Sequence, residues 1–136
     1  MARIPNMPRR AACSILLILL GLAASAGAAE KPVISLAMPY PDARTRMFET
    51  GFRPYRPIPP DSALFKKNFA GREDIARRYP EAAKCEPRDK SACFFLWVRA
   101  PDELVAITTS GAKLDSLIVW HVRGATRQEA EALYEK

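Results

Sequence analysis

Two cysteines are the first residues of this sequence whose type and spacing could do chemistry. Redox catalysis favours a C-x-x-C spacing, and Cys85 and Cys93 lie further apart than that. An even number of cysteines in an exported chain instead indicates a structural disulfide. We therefore predict a Cys85–Cys93 disulfide, whose short loop would stabilise the fold by about 2.5 kcal/mol.

His121 is the single histidine of the chain and the natural candidate for a general base. It follows Trp120 in a β-rich run. It lacks an evident nucleophile, because the sequence contains no G-x-S-x-G elbow and the two cysteines are assigned to the disulfide. A small hydrolase or transferase centred on His121 is therefore an alternative function. A half-exposed residue at a strand end is the simpler interpretation.

Metal, phosphate and glycosidase chemistry find little support in the sequence. Zinc needs several His, Cys or carboxylate ligands at short spacings, calcium needs an acid-rich loop, and a phosphate loop needs clustered glycines. The adjacent acids at 73–74 and 102–103 are typical of an exposed helix and a turn, and rarely face one cleft as glycosidase carboxyl groups do. We expect no metal and no cofactor.

Aromatic side chains supply the candidate binding residues. Trp97 shares one side of a predicted strand with Phe95, and Trp120 would join them if the strand register aligned it. Core packing is one interpretation, and an exposed patch that binds a protein or a glycan is the other. The residues that we select for binding are Tyr55, Trp97, Arg99 and Trp120.

The N-terminus has the order of a secretory signal. A basic start without acids is followed by an apolar stretch, and the small residues 23–29 offer two A-x-A cleavage patterns. We predict a signal peptide over residues 1–29, whose removal takes Cys13 with it and leaves one small domain over residues 30–136. The alternative is an uncleaved anchor, since the uncharged stretch is long enough to span a bilayer.

The charge of the mature chain is modest. The full sequence has a formal net charge of +6, with 21 basic and 15 acidic residues. Three basic residues and no acidic ones lie in the predicted leader, which leaves about +3 with both signs interspersed. Nucleic-acid binding usually needs a clustered basic face, so we expect no nucleic-acid partner. The signal and the cysteine pair together predict a periplasmic location.

Three β-rich runs are predicted as strands, and two of them contain the candidate residues Trp97, Trp120 and His121. Residues 94–98, 104–109 and 117–122 are joined by short connections that contain turn residues. They predict an antiparallel meander of three or four strands, with the cysteine pair at its entrance. Both sides of the first run are apolar, so we expect it to be central. Residues 33–38 are predicted as an added edge strand or an ordered arm.

Helices are predicted before and after the three β-rich runs in the sequence. This order makes the predicted fold class α+β. Residues 41–50 have an early proline and stop at Gly51, and residues 61–79 form two pieces that end before Pro80. Residues 126–134 begin with a capping box. The connecting segments are residues 52–60, an edge strand or polyproline connector, and residues 81–92, a loop.

Several short motifs of the chain resemble those of small uncharacterised exported two-cysteine proteins of Gram-negative bacteria. The motifs are the Gly-aromatic-Pro segment at 51–54, the Pro-Glu pair at 80–81 that precedes Cys85, and the Cys-Phe pair at 93–94 that precedes Trp97. The layout of helices and meander is also similar to domains of the β-lactamase-inhibitor-protein type. That resemblance implies binding of a protein partner by a concave sheet, without catalysis.

The sequence as a whole favours an exported, non-catalytic binding module for a protein or a cell-envelope component. The enzyme centred on His121 is the alternative from another functional class. A membrane-anchored envelope accessory protein is a third possibility, which requires that the leader stays attached. None of these interpretations specifies a ligand.

Overall fold

The computed structural model describes residues 29–86 and 91–135. The predicted leader with Cys13, apart from residue 29, and the loop residues 87–90 lie outside the described residues. The helices are α1 (Tyr40–Glu49), α2 (Ala63–Asn68), α3 (Glu73–Arg78) and α4 (Arg127–Ala132). The strands are β1 (Arg53–Pro54), β2 (Ala82–Cys85), β3 (Cys93–Arg99), β4 (Glu103–Ser110) and β5 (Ile118–Ala125). A 3₁₀ turn over Leu114–Ser116 precedes β5.

The predicted α+β class with an antiparallel meander and one disulfide is confirmed. The sheet runs β1-β3-β4-β5, and β2 also pairs with β3. β3 is therefore central, as its two apolar sides predict. Over the described residues the sheet has five strands rather than three or four, because residues 82–85 form β2. The prediction of a loop over residues 81–92 is wrong for residues 82–85. This short segment, Ala-Ala-Lys-Cys, does not show the alternation of apolar and polar residues that is typical of a strand.

Local signals place the helix ends as predicted. Gly51 stops α1 with a φ of 85°, a backbone conformation that favours glycine, and Phe52 N–H donates to the Met47 carbonyl at 2.9 Å. The Ser62 hydroxyl caps α2 by accepting from Phe65 N–H at 3.1 Å. Before α4, Thr126 and Glu129 form the reciprocal capping box. The backbone hydrogen bond from Thr126 holds the pKa of Glu129 below its usual value.

The segments with prolines also follow the predictions. In the proline-dense segment, β1 pairs with β3 over only two residues. Prolines lack the backbone N–H donors that a longer strand pairing needs, so such a segment is confined to the edge of a sheet. Residues 33–38 form an ordered arm rather than a regular strand. Ala37 N–H donates to the Val119 carbonyl and Val119 N–H donates to the Met38 carbonyl, each at 2.8 Å. This arm covers the start of the outer edge of β5.

The two faces of the sheet are covered by different helices. The first face carries the rows that contain Phe95, Trp97 and Ile107, and α1 packs on it, with the Tyr40 and Phe95 rings 4.0 Å apart. The second face carries Leu96, Ala106 and Ala125. α4 packs on one end of the second face through Ala130 and Leu133.

The disulfide joins two strands in register. Cys85 and Cys93 are cross-strand partners of β2 and β3 and form the predicted bond. Both residues are buried, so the disulfide crosslinks β2 and β3 within the core. A disulfide persists in oxidising compartments, and the folded chain therefore belongs outside the cytoplasm. Among the described residues, no helix combines the length and the apolar character needed to cross a membrane.

An ion pair with a buried carboxylate joins α1 to the residue that precedes β2. The side chain of Glu81 has no exposed surface, and Arg44 Nε lies 2.6 Å from its Oε1. The buried Tyr40 hydroxyl donates to the same oxygen at 3.0 Å. Burial, followed by the charge of Glu81, raises the pKa of Tyr40 well above its usual value, so the phenol stays protonated and keeps donating.

We predict that Arg44→Met lowers the free energy of unfolding by about 3 kcal/mol, because it leaves a carboxylate buried without a countercharge. The methionine keeps an apolar side chain next to the Phe48 and Tyr79 rings, over which the Arg44 guanidinium lies. The double variant Arg44→Met/Glu81→Gln should recover most of the loss, since it removes the uncompensated charge. Denaturant unfolding measures these values.

Arg78→Met is the matched control, because Arg78 is an exposed arginine on α3. Its cost should stay within about 0.5 kcal/mol. If Arg44→Met lowers the free energy of unfolding by as little as the control does, the ion pair does not stabilise the fold as predicted.

Candidate binding site around Trp120

Trp97, which the sequence offered as a binding residue, lies in the core and presents no side-chain surface to a partner. Its side chain has 0% exposure, and the Phe48 ring meets it edge-on with centroids 5.0 Å apart. The register pairs Trp97 with Val105 on the face that α1 covers. The packing interpretation of this aromatic residue therefore holds.

Arg99 is also committed to the fold. Its guanidinium donates twice to Glu103 Oε2, at 2.9 and 2.8 Å, and lies 4.4 Å from the centroid of the Phe52 ring. It donates as well to the backbone carbonyls of Thr50 and Glu30. With 11% of its side chain exposed, Arg99 holds together segments that are distant in sequence and has little surface left for a partner.

Tyr55 links the proline-dense segment to α4. Its hydroxyl donates to Glu131 Oε1 at 2.5 Å, and its ring meets Tyr134 edge-on. The hydrogen bond with Glu131 raises the pKa of Tyr55 and lowers the pKa of Glu131. Arg56 adds an ion pair to the same carboxylate at 2.8 Å. The hydroxyl of Tyr55 is thus occupied within the fold.

Trp120 differs from the other three candidates because a β-bulge turns it to solvent. Thr108 pairs with His121 and Thr109 pairs with Val119, so Trp120 is the extra residue between two paired positions. Val119 is buried beside it, whereas Trp120 is 69% exposed. The two tryptophans therefore do not share a face, which corrects the predicted alternative that the register would align them.

Two shallow depressions flank Trp120. One, of about 200 Å³, is lined by apolar groups of Leu36, Ala37, Ile118 and Val119 beside the indole. The other, of about 330 Å³, has mainly hydroxyl residues in its wall. Its lining residues are Ser91, Ala92, Thr108, Thr109, Ser110 and Trp120. We call the exposed part of this region the Trp120 surface, defined by Leu36, Thr108, Ser110, Ile118 and Trp120.

The Trp120 surface lies at the end of the second sheet face that α4 does not cover. The cross-strand row Lys84, Phe94, Thr108 and His121 leads towards Ser110 and Ile118, which also pair with each other. Ile118 is 38% exposed and Leu36 on the arm is 67% exposed. Three large apolar side chains therefore meet solvent together at one corner of the sheet.

His121 lies beside this surface as an exposed strand residue. Its cross-strand neighbour is Thr108, and no hydrogen bond joins their side chains in the part of the chain that the structure describes. The same residues contain no group of three or more potential metal ligands. Among the described residues, His121 therefore has Thr108 as its cross-strand neighbour but no hydrogen-bonded nucleophile.

Sequence reasoning selected Trp120 and predicted an edge strand or an ordered arm over residues 33–38, but it missed the β-bulge and did not place the arm beside Trp120. The alternation of Ile118 and Trp120 against Val119 was the available signal. The contribution of Leu36 depends on the arm crossing the edge of β5, which no local pattern encodes. Comparison with known proteins adds no further candidate, because the chain matches no protein-family model, no curated protein and no solved structure.

We predict opposite behaviour for the two tryptophans in single-tryptophan variants. In Trp97→Phe, the remaining Trp120 should emit at long wavelength and be quenched efficiently by iodide, because it is exposed. In Trp120→Phe, the remaining Trp97 should emit at short wavelength and resist quenching. Trp97→Phe should also cost more than about 1 kcal/mol of unfolding free energy, and Trp120→Phe less than about 0.5 kcal/mol. Equal quenching would contradict the assignment.

Proposed function

We propose that the protein is an exported, non-catalytic binding module that contacts a component of the cell envelope through the Trp120 surface. The observation that carries this proposal is the exposure of Trp120 in a bulge between two depressions. Exposed tryptophans are uncommon on stable surfaces and frequent at the centre of binding sites.

Energetics support a functional reason for this exposure. Leaving a tryptophan in water forgoes the stabilisation that burial of its large ring would bring. Leu36 and Ile118 extend the apolar area around the ring, and polar side chains such as Thr108 and Ser110 border it. An apolar centre with a polar rim is the usual anatomy of a recognition surface.

The compartment belongs to the same proposal. The disulfide supports an oxidising environment, and the N-terminal sequence supports export by a signal peptide that is cleaved near residue 29. Together they favour the periplasm. The rival interpretation as an enzyme centred on His121 gains no support from a nucleophile–base contact, and the anchored interpretation depends on the leader remaining attached.

We predict that Trp120→Ala strongly weakens binding of the mature domain to envelope material. The test measures sedimentation of residues 30–136 with washed envelope fragments and retention of periplasmic proteins on the immobilised domain. Central tryptophans contribute about 2 kcal/mol or more to recognition, which corresponds to roughly 30-fold weaker binding.

Val33→Ala is the matched control, since Val33 is an apolar side chain with 68% exposure that lies outside the Trp120 surface. It should bind as the unchanged domain does. Undiminished binding by Trp120→Ala would refute the proposed surface.

A second prediction concerns export. Protein recovered from its native host should begin near residue 27–30 by mass spectrometry, and Cys85 and Cys93 should resist thiol labelling until a reductant is added. A chain that still begins at Met1 would instead support the membrane-anchored interpretation. Free thiols at both positions would contradict the extracytoplasmic location.

A further inference from the structure

We infer that the protein forms a two-fold symmetric dimer in which β5 pairs antiparallel with β5 of a second copy. The interface uses residues 121–125 and none of the residues that define the Trp120 surface, so this inference goes beyond the proposed function and does not depend on it. It follows from the open part of the β5 edge, from the register that this edge permits and from the charges beside it.

The outer edge of β5 is covered at its start and open further along. The carbonyl of Leu117 and both backbone groups of Val119 bond with the arm at 2.8 or 2.9 Å, so these groups point away from β4. Over residues 121–125, no backbone hydrogen bond joins this outer edge to any other described segment. An open edge is a template for a further strand, which needs extended backbone and nothing else to pair with it.

The β-bulge determines which backbone groups of the open edge point outward. Successive residues of a strand direct their N–H and C=O groups to opposite edges. Val119 points outward, and the extra residue Trp120 shifts the alternation by one, so Val122 and Gly124 are the next outward residues. The Gly124 carbonyl accepts from the Arg123 guanidinium at 3.1 Å and retains a second lone pair. Val122 and Gly124 can therefore each donate and accept one strand-to-strand hydrogen bond.

A second β5 matches this pattern through its own Val122 and Gly124. In a two-fold interface the same residues contact one another in both directions, so Val122 pairs with Gly124 of the second copy and Gly124 pairs with its Val122. Each of the two pairs exchanges both of its backbone hydrogen bonds, and the two-fold axis passes through Arg123. The pairing fits between the arm at one end and the start of α4 at Arg127.

The first face of the sheet has room for the side chain that this register brings. Val122 lies in the row with Ile107, so it approaches Gly124 of the second copy on the first face. A depression of about 350 Å³ lies there, with Pro32, Val105 and Gly124 in its wall. No described atom outside its chain neighbours lies within 4 Å of the position that a Cβ of Gly124 would take. The glycine thus leaves space for the valine of the other copy.

The charges on the second face are self-complementary about the axis. Arg123 Nη1 lies 3.0 Å from Glu129 Oε1, and the two side chains are 46% and 47% exposed. The pairing brings two of these ion pairs together, so each Arg123 can also contact Glu129 of the other copy. Two cations and two anions then form a network instead of a repulsive arginine pair. A second copy supplies this balance of charge by itself, which favours self-pairing over an arbitrary extended peptide.

Concentration dependence tests the dimer without any substitution. Because the pairing is short and lies at the lower end of interface sizes, sedimentation of residues 30–136 should show a monomer below about 1 µM and a dimer towards about 1 mM. Amide exchange at Val122 and Gly124 should slow at least about tenfold in the dimer. Exchange at His121 and Arg123, which already bond to β4, should stay the same. A monomer over the whole range would overturn the inference.

Cysteine substitution tests the register. Arg123→Cys places a thiol opposite its own copy in a non-hydrogen-bonded pair, where the Cα atoms are about 4.5 Å apart and a disulfide can form. His121→Cys is the matched control, since His121 is also exposed on the same face of β5 but lies opposite Ala125 of the second copy. On non-reducing electrophoresis, diamide should crosslink Arg123→Cys at least about tenfold faster. Equal rates would contradict the proposed register.

Charge reversal tests the network at the axis. Arg123→Glu places four carboxylates there and should weaken the dimer by at least about tenfold. Arg77→Glu is its control, because Arg77 belongs to an exposed ion pair with Asp61 at 2.7 Å on α3, and it should leave the dimer unchanged. Equal weakening by both variants would refute the specific pairing. A protein that stays monomeric but binds envelope material through Trp120 would refute the dimer and leave the proposed function standing.

Discussion

The buried carboxylate of Glu81 is the constraint on which the arrangement of the fold depends. A carboxylate without contact to water is tolerated only where partners replace its hydration, and here both partners, Tyr40 and Arg44, come from α1. These contacts therefore stabilise the packing of α1 next to β2. Because Glu81 directly precedes β2, the same contact fixes the register between helix and hairpin.

This constraint determines which surface remains open. With α1 held against Phe95 and Trp97, the first face of the sheet is covered around these residues. The capping box at Thr126 directs α4 onto one end of the second face. The end that contains the bulge has no covering helix among the described elements, so the exposure of Trp120 follows from the positions of α1 and α4 as well as from the strand itself.

Sequence reasoning succeeded where a signal acts within one turn or one disulfide. Gly51, Ser62 and the Thr126 box mark helix ends through backbone chemistry that needs no tertiary context. It failed where the answer depends on pairing between strands. Trp97 and Trp120 occupy similar apolar runs, and only the register of β3, β4 and β5 decides that the first is core and the second is surface.

The bulge supports the proposed role of Trp120 in binding. A regular β5 would pair every residue with β4, whereas the bulge leaves one residue without a partner and turns its ring away from the core. A small polar residue would satisfy such a position at lower cost, since it exposes no large apolar surface. Stability alone thus explains Trp97, which fills the core, but gives no reason for an indole at position 120. The proposed function supplies a reason, because the depressions on both sides of the ring give a ligand surfaces to contact.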